Sequence, residues 1–436
     1  MTQINLLYLR YIAVLFLLFI MPSFLHIKFE ASHSDSFFIS LVVFSILIFR
    51  PIDFKKNNYR LLIFPCILFF FVLLHGILTS LFNDAFNYGR FFASIIYLIS
   101  ITFSAFLFYL FKNKIDDQIL LRSLILFAYI LLFLAYMSAF GYKFSSAAGK
   151  PVFYFDEPCK FALISSPFFA FLLVRRPALE GYLVYGLLFK LALMQPSITL
   201  LFSVIMCPFI FLKIKQSIKF FILFICIAFM SNSINANNIP LKRYFSERLP
   251  NSTFLFFYKS ETAPNIYNNS LSVTESKVLT ISGTNIVVSN SLAVYYSGWA
   301  RGLLNFIPTY GLGLGFQQLG YRGILDQFQI LLYPLNLKDG ATVGGKLFSE
   351  FGFFGILFIL LYLKGLLAKV SDIRLLCRNR NGYVGKYENL HIFLDLSYIT
   401  YFSLLFVRGA GYFDASSFIL LISLFYSKYK LLKIKR

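Results

Sequence analysis

A bilayer crossing needs about 20 apolar residues in a row, with every backbone N–H and C=O bonded inside the segment. This chain supplies such runs again and again, then stops for one long polar stretch from Asn232 to Gly345 before resuming. Hydrophobic residues are 58% of the 436 positions and charged ones only 14%, with a mean hydropathy of +0.73. No soluble domain of that length needs so much apolar surface. The expected class is therefore an all-α polytopic membrane protein.

The runs centre on 6–26, 34–50, 61–82, 90–111, 119–140, 160–175, 179–195, 197–213, 217–232, 346–367, 391–408 and 411–427. That gives about 12 spans, and 10 if the short, Pro-interrupted stretch 160–232 (Pro167, Pro196, Pro208) holds a re-entrant pair. The chain divides into 1–231, the loop 232–345, and 346–436. The first run lacks a basic leader and a small-residue cleavage site, so it reads as a retained span.

The net charge of +21 is read by location before it is read as a nucleic-acid signal. With the N-terminus inside, alternate connections collect the basic residues: Arg50 to Arg60, Lys112 to Arg122, Arg175 and Arg176, Lys213 to Lys219, Lys364 to Lys386, and Lys428 to Arg436. The short connections on the opposite side hold only Lys28, Arg90, Lys143, Lys150, Lys160 and Arg408. Both termini are expected in the cytoplasm and the long loop outside. The charge is a topology signal, and nucleic acid is not an expected partner. Cys66, Cys159, Cys207, Cys226 and Cys377 show no CxxC or Cys/His spacing, so neither a disulfide framework nor a metal site is expected.

The loop is mildly basic on a face where topology does not ask for it, which favours an anionic ligand. Its Asn- and Pro-rich start reads as irregular. Ser291–Tyr310 reads as an amphipathic helix lying on the membrane surface, with a second at 324–335. Within S-G-W-A-R-G, Arg301 offers a planar fork suited to phosphate oxygens. Gly311, Gly313 and Gly315 follow in G-L-G-L-G, where small residues let backbone N–H groups approach an anion. Arg301 reads equally as an interfacial residue reaching for headgroups. Arg90 and Arg408 stand on the side poor in basic residues, as a diphosphate clamp or as headgroup anchors. Glu157, before Pro158, is a candidate general base or a carboxylate at a helix start. Glu350, in G-G-K-L-F-S-E-F-G-F-F-G, sits about one turn inside the tenth expected span, where a carboxylate is a functional candidate by default. Its alternative is a structural pair with an Arg of another helix.

Four segments carry a resemblance: E-P-C-K-F-A at Glu157–Ala162, W-A-R followed by P-T-Y-G-L-G-L-G-F, F-S-E-F-G-F-F-G-I-L, and V-R-G-A-G-Y-F. With the architecture, they make the chain resemble the Wzy family of O-antigen polymerases. That resemblance implies a GT-C-like bacterial inner-membrane enzyme with one large periplasmic loop and an active site facing the periplasm. The substrate would be an undecaprenyl-diphosphate-linked oligosaccharide, the growing glycan passing to the next lipid-linked unit without cofactor or metal. Membrane lipids surround it, and a polysaccharide chain-length regulator is a possible partner. Arg301, Arg408, Arg90 and the glycines would hold the diphosphate, with Arg301 catalytic and Glu157 or Glu350 as base. The nearest alternative is an O-antigen ligase, which carries a loop histidine; none lies in 232–345. A lipid-oligosaccharide flippase is the alternative from another class.

Overall fold

The computed structural model describes residues 3–48, 59–83, 85–111, 115–142, 152–155, 157–176, 179–195, 197–234, 276–281, 284–320, 341–378, 388–409 and 411–434. In chain order the helices are α1 (Gln3–Phe19), α2 (Met21–Phe29), α3 (His33–Ile48), α4 (Tyr59–Ser80), α5 (Tyr88–Phe111), α6 (Asp117–Ala139), α7 (Pro158–Arg175), α8 (Leu179–Met194), α9 (Ile198–Phe211) and α10 (Ile214–Ile234). Then follow α11 (Asn290–Phe306), α12 (Val343–Phe351), α13 (Phe353–Arg378), α14 (Asn389–Phe406) and α15 (Ala415–Ile434).

Every expected apolar run is helical, in agreement with a polytopic membrane protein. Among the described residues five helices are long and apolar enough to cross a membrane: Leu62–Ser80, Tyr88–Leu110, Asp117–Ala139, Pro158–Arg175 and Phe353–Cys377. Helices α1 and α2, bent by 50° between Phe19 and Met21, make a sixth if counted as one span. Helices α8 and α9 have 16 and 14 residues. They are about 24 and 21 Å long at 1.5 Å per residue, short of a hydrocarbon core of about 30 Å.

Helix starts follow local chemistry. The Asp116 carboxylate accepts from the N–H groups of Gln118 and Ile119 ahead of α6. Ser197 caps α9 through Leu200 N–H, and Pro158 opens α7, where its missing N–H costs nothing. Helix α7 is the axis of the bundle, with 72% of its span buried against 17% for α13 and 22% for α4. Phe168 of α7 packs its ring on Phe19 of α1 (4.8 Å between centroids), Phe127 of α6 (4.9 Å) and Phe393 of α14 (5.0 Å). The peripheral helices turn long apolar faces outward, such as Ile67, Phe70, Leu74 and Ile77 of α4, as lipid contact requires.

The 232–345 stretch departs from its sequence reading in two ways. Its Asn- and Pro-rich start, expected to be irregular, lies outside the described residues, and ahead of the surface helix stands an antiparallel hairpin that was not expected, β1 (Ser276–Ile281) and β2 (Thr284–Ser289), in register from Ser276↔Ser289 to Ile281↔Thr284. The β-branched residues of T-N-I-V-V-S and V-L-T-I favour it. The surface helix expected over Ser291–Tyr310 is α11, and its Arg301 is buried at 3% exposure, not laid on a surface. The second expected helix, at 324–335, lies outside the described residues. A third correction concerns the tenth expected span at 346–367. It is broken at Gly352, so Glu350 lies in α12 before the long helix α13 and not inside a continuous span.

The aromatic knot on α7 predicts a contrast. Replacing Phe168, fully buried, by Ala lowers stability by about 3 kcal/mol. Replacing Phe70, 63% exposed on the lipid-facing side of α4, changes it by less than about 0.5 kcal/mol. Unfolding of the purified protein in mixed detergent checks both; equal effects would contradict the placement of α7 at the axis.

Candidate functional site

Several polar side chains meet at one end of the bundle, and the break after α12 is what lets them meet. Thr342 caps α12, its hydroxyl accepting from Gly345 N–H at 3.0 Å. The helix ends at Gly352, with φ 53° and ψ −122°. A side chain there would be strained, and its Cβ would lie 2.0 Å from the Gly311 carbonyl oxygen. The glycine run inserts against this break. Leu314 N–H donates to the Ser349 carbonyl (3.0 Å), Gly315 N–H to that of Glu350 (2.9 Å), and Phe353 N–H to that of Gly311 (2.8 Å). At Gly313 a Cβ would stand 2.6 Å from the Gly352 nitrogen.

These contacts change the meaning of G-L-G-L-G. Gly311 N–H donates to the Phe306 carbonyl (2.7 Å) and Gly313 N–H to the Thr309 hydroxyl (3.0 Å), and Gly315 is engaged as above. All three N–H groups are thus spent within the protein. The run is a close-packing joint, with none of these three N–H groups left to meet an anion.

The joint is also tied to the bundle. His75 of α4 donates through Nε2 to the Leu312 carbonyl at 2.9 Å, and Asn83 to the Leu314 carbonyl at 3.1 Å. Asn87 caps α5 through Arg90 N–H (2.8 Å), while its own N–H and carbonyl bond the Gln318 side chain (2.7 and 3.2 Å).

Gln317, in the left-handed region at φ 60°, then becomes the hub. Its N–H donates to one oxygen of Glu350 at 2.9 Å, and Leu319 N–H donates to the other at 3.3 Å. Its side-chain oxygen accepts from both Arg90 Nη2 and Lys346 Nζ, each at 3.1 Å. The Lys346 ammonium lies 5.0 Å from the ring centroid of Tyr412, within reach of a cation–π attraction. A strained backbone at such a hub is typical of functional sites.

Two cations thus share one acceptor beside a carboxylate, with Lys346 buried and Arg90 half-buried. Glu350 has no exposed surface. Burial pushes its carboxyl above the ordinary value of 4.5, while Lys346, Gln317 N–H, Tyr412 and Leu319 N–H pull the other way. Tyr412 stands beside it, although its hydroxyl makes no hydrogen bond of full geometry.

The structure brings together Arg90, Glu350 and the glycine run. The other residues singled out from the sequence stand apart from that group. Arg408 pairs with Glu157 at 3.5 Å, with side chains 25% and 46% exposed. Solvent screening leaves such a pair worth little. Glu157 also accepts from the Cys159 thiol at 2.7 Å, so it is held in a network and caps no N–H of α7. Arg301 shares a face of α11 with Gly298 and Gly302, turned to α12. The Gly298 carbonyl accepts from Ser349, and Gly302 lies against the Phe348 ring. The Arg408 loop reaches the same region through Gly409 N–H, which donates to the Ala341 carbonyl at 2.8 Å.

Sequence reasoning missed Lys346, Gln317 and Tyr412. Lys346 had a signal, since it stands four residues before Glu350 on one helix face. Gln317 had none, because its backbone conformation and its partners arise only in three dimensions. Among the described residues no three His, Cys, Asp or Glu side chains converge to hold a metal ion.

Next to the charged group lies an apolar cavity of about 420 Å³. Phe316 and Phe351, neighbours in sequence of Gln317 and Glu350, line it together with Tyr412, Phe71 of α4, Leu98 of α5 and Leu424 of α15. The arrangement is amphiphilic, with an apolar cavity close to the half-buried Arg90 and the buried Lys346. No family model, curated protein or solved structure matches this chain.

The raised carboxyl of Glu350 predicts a pH-dependent stability. Between 4.5 and its higher folded value the native state binds more protons than the unfolded one. Stability from this group therefore falls as pH rises through that window. The variant Glu350→Gln lacks the effect, so its stability relative to the native protein increases from pH 4.5 upward. Unfolding measured across pH checks this; parallel curves for the two proteins would contradict it.

Proposed function

We propose that this chain is a bacterial inner-membrane glycosyltransferase of the O-antigen polymerase kind. It acts at the periplasmic face on repeat units carried by undecaprenyl diphosphate. The observation that carries the reading is the closeness of the 420 Å³ apolar cavity, lined by Phe316, Leu347 and Tyr412, to the Arg90–Gln317–Lys346 group that stands behind those residues. A lipid with an anionic head is the ligand whose chemistry matches both halves. The leading isoprene units occupy the cavity, and the diphosphate meets the cations.

The charge pattern supports the orientation. The end of the bundle with Arg374, Arg176 and Lys213 is the one rich in basic residues, as a cytoplasmic side should be. The charged group lies at the opposite end, reached by the C-terminal end of α4 and the N-terminal end of α5.

The reaction needs little beyond electrostatics. The acceptor hydroxyl oxygen forms a bond to C1 of the donor sugar, and the C1–oxygen bond to the diphosphate breaks. The bonding pair leaves with the diphosphate, and the hydroxyl proton passes to a carboxylate. Fixed cations placed where the leaving charge grows are the large contribution in such a transfer. Arg90 and Lys346 are oriented for it by a shared acceptor, Gln317. Arg301, packed beside α12, extends the positive field toward the same end, whereas the charge of Arg408 is offset by Glu157. Glu350 holds the cations and the joint in place, since both its oxygens already accept N–H groups.

The purified chain in proteoliposomes with an undecaprenyl-diphosphate-linked repeat unit is expected to produce a ladder of elongated products without any nucleotide sugar. Lys346→Met, Arg90→Ala and Arg301→Ala are expected to lower that rate by about 100-fold or more while the protein still inserts. Absence of a ladder from the native protein overturns the reading. Transfer to lipid A-core instead assigns a ligase, and movement of the lipid across the bilayer without elongation assigns a flippase.

A further inference from the structure

The loop between α14 and α15 ends in an aspartate with two engagements. As the cap of α15, Asp414 accepts from Ser417 N–H on Oδ1 at 2.7 Å, and its carbonyl accepts from Phe418 N–H at 3.1 Å. Most capping carboxylates stand in water. This one lines a second, small cavity of about 50 Å³ together with Ser23, His33 of α3, Lys160 of α7 and Phe413. That space holds a water-sized group.

The polar side of the cavity is organised. Lys160 Nζ lies 2.6 Å from His33 Nε2, and the His26 ring packs on that of His33 with centroids 3.6 Å apart. Tyr401 of α14 stands on the far side of the carboxylate, bonded to the Ser417 hydroxyl at 3.1 Å. The groups facing Asp414 are therefore Lys160 and His33 from α7 and α3, Tyr401 from α14, and Ser417 from its own helix.

Three consecutive residues then connect the parts of the site. Tyr412 borders the Lys346–Glu350 group, Phe413 lines both cavities, and Asp414 opens on the small one. The other two carboxylates considered for proton transfer are worse placed. Glu157 is occupied by Arg408 and Cys159. Glu350 accepts N–H groups on both oxygens and lines neither cavity.

We propose that the small cavity admits the attacking hydroxyl of the acceptor sugar and that Asp414 takes its proton, an assignment that rests on the glycosyl-transfer reading above. The oxygen–hydrogen pair becomes the new bond to C1, the proton ends on the Asp414 carboxylate, and the diphosphate departs with the electrons of the broken bond. Burial holds this carboxyl at about 6, against bonds from Ser417 and Ser416 that favour the charged form. A base poised there is deprotonated at neutral pH yet still able to hold a proton.

The cap gives a clean test, because Asn caps a helix as well as Asp does but accepts no proton. Asp414→Asn is expected to insert, to melt like the native protein, and to bind the lipid-linked donor. Its elongation rate is expected to fall about 100-fold or more, with Asp414→Glu recovering part of it. Ser417→Ala removes a bond that favours the carboxylate, so the rise of rate with pH moves to higher pH; this variant serves even where Asp414→Asn fails to fold. An Asp414→Asn protein that elongates at the native rate, or an unmoved pH profile in Ser417→Ala, overturns the assignment. A native protein that makes no ladder overturns the functional reading and this one with it, which separates the two failures.

Discussion

Burying the Glu350 carboxylate is the constraint around which one end of this molecule is built. An ionised carboxylate without partners in such a place costs several kcal/mol. The chain meets that cost with two backbone N–H groups and a lysine one turn away on the same helix. Backbone donors from Gln317 and Leu319 reach it only because residues 311–315 lie flat against the end of α12. That approach in turn requires glycine at Gly313 and Gly352, where a Cβ would meet backbone atoms at 2.6 and 2.0 Å. Remove the close approach and Gln317 has no reason to adopt its left-handed backbone. Its side chain would then hold neither Arg90 nor Lys346.

The same joint explains why the helix pair α12–α13 is broken. A continuous helix through Gly352 would pair Phe353 N–H with the Ser349 carbonyl and Phe354 N–H with that of Glu350 in its own ladder. It would leave the loop nothing to bond at that height. The break frees Phe353 N–H for Gly311, and the carbonyls of Ser349 and Glu350 for Leu314 and Gly315. Irregular backbone near a membrane protein's apolar region is tolerated where it is buried in protein. Here it is buried on one side by α4 and α5 through His75, Asn83 and Asn87, and on the other by α11 through Gly298.

The bundle was legible in the sequence because hydropathy is a local property. Runs such as 61–82 and 90–111 correspond to Tyr59–Ser80 and Tyr88–Phe111 with ends displaced by two residues or fewer. The site was legible only in its ingredients. Arg90 and Gln317 are 227 positions apart, and Gln317 and Glu350 are 33 apart; nothing in spacing announces such a meeting. G-L-G-L-G was visible as unusual, but composition does not say whether a glycine is there for a ligand or for a neighbouring backbone. Neighbour distances decide for the backbone. Arg301 was read as exposed because α11 is amphipathic. Its face toward α12 proves to be the one with Gly298 and Gly302, small residues that admit a close helix and leave Arg301 buried between the two.

Placing the charges and the grease in separate but touching compartments has a chemical consequence. Cations that faced the apolar cavity directly would either be costly to leave unpaired or would recruit counterions. Held behind Phe316 and Phe351 on a common acceptor, Arg90 and Lys346 stay oriented while their field extends into a region of low dielectric, where it is weakly screened. Tyr412 and Phe413 continue the same partition on the α14–α15 side, with the lipid-compatible cavity below and the polar pocket of Asp414, Lys160 and His33 beyond. On the glycosyl-transfer reading, a substrate with a hydrocarbon tail, an anionic middle and a hydroxyl-rich head has a matching environment for each part, the two cavities adjoining at Phe413 and the cations standing behind Phe316 and Phe351. The tail's environment is set by hydropathy and the head's by hydrogen bonding. The middle alone depends on the joint at Gly352, so that joint is where the chemistry of this protein is most exposed to a single substitution.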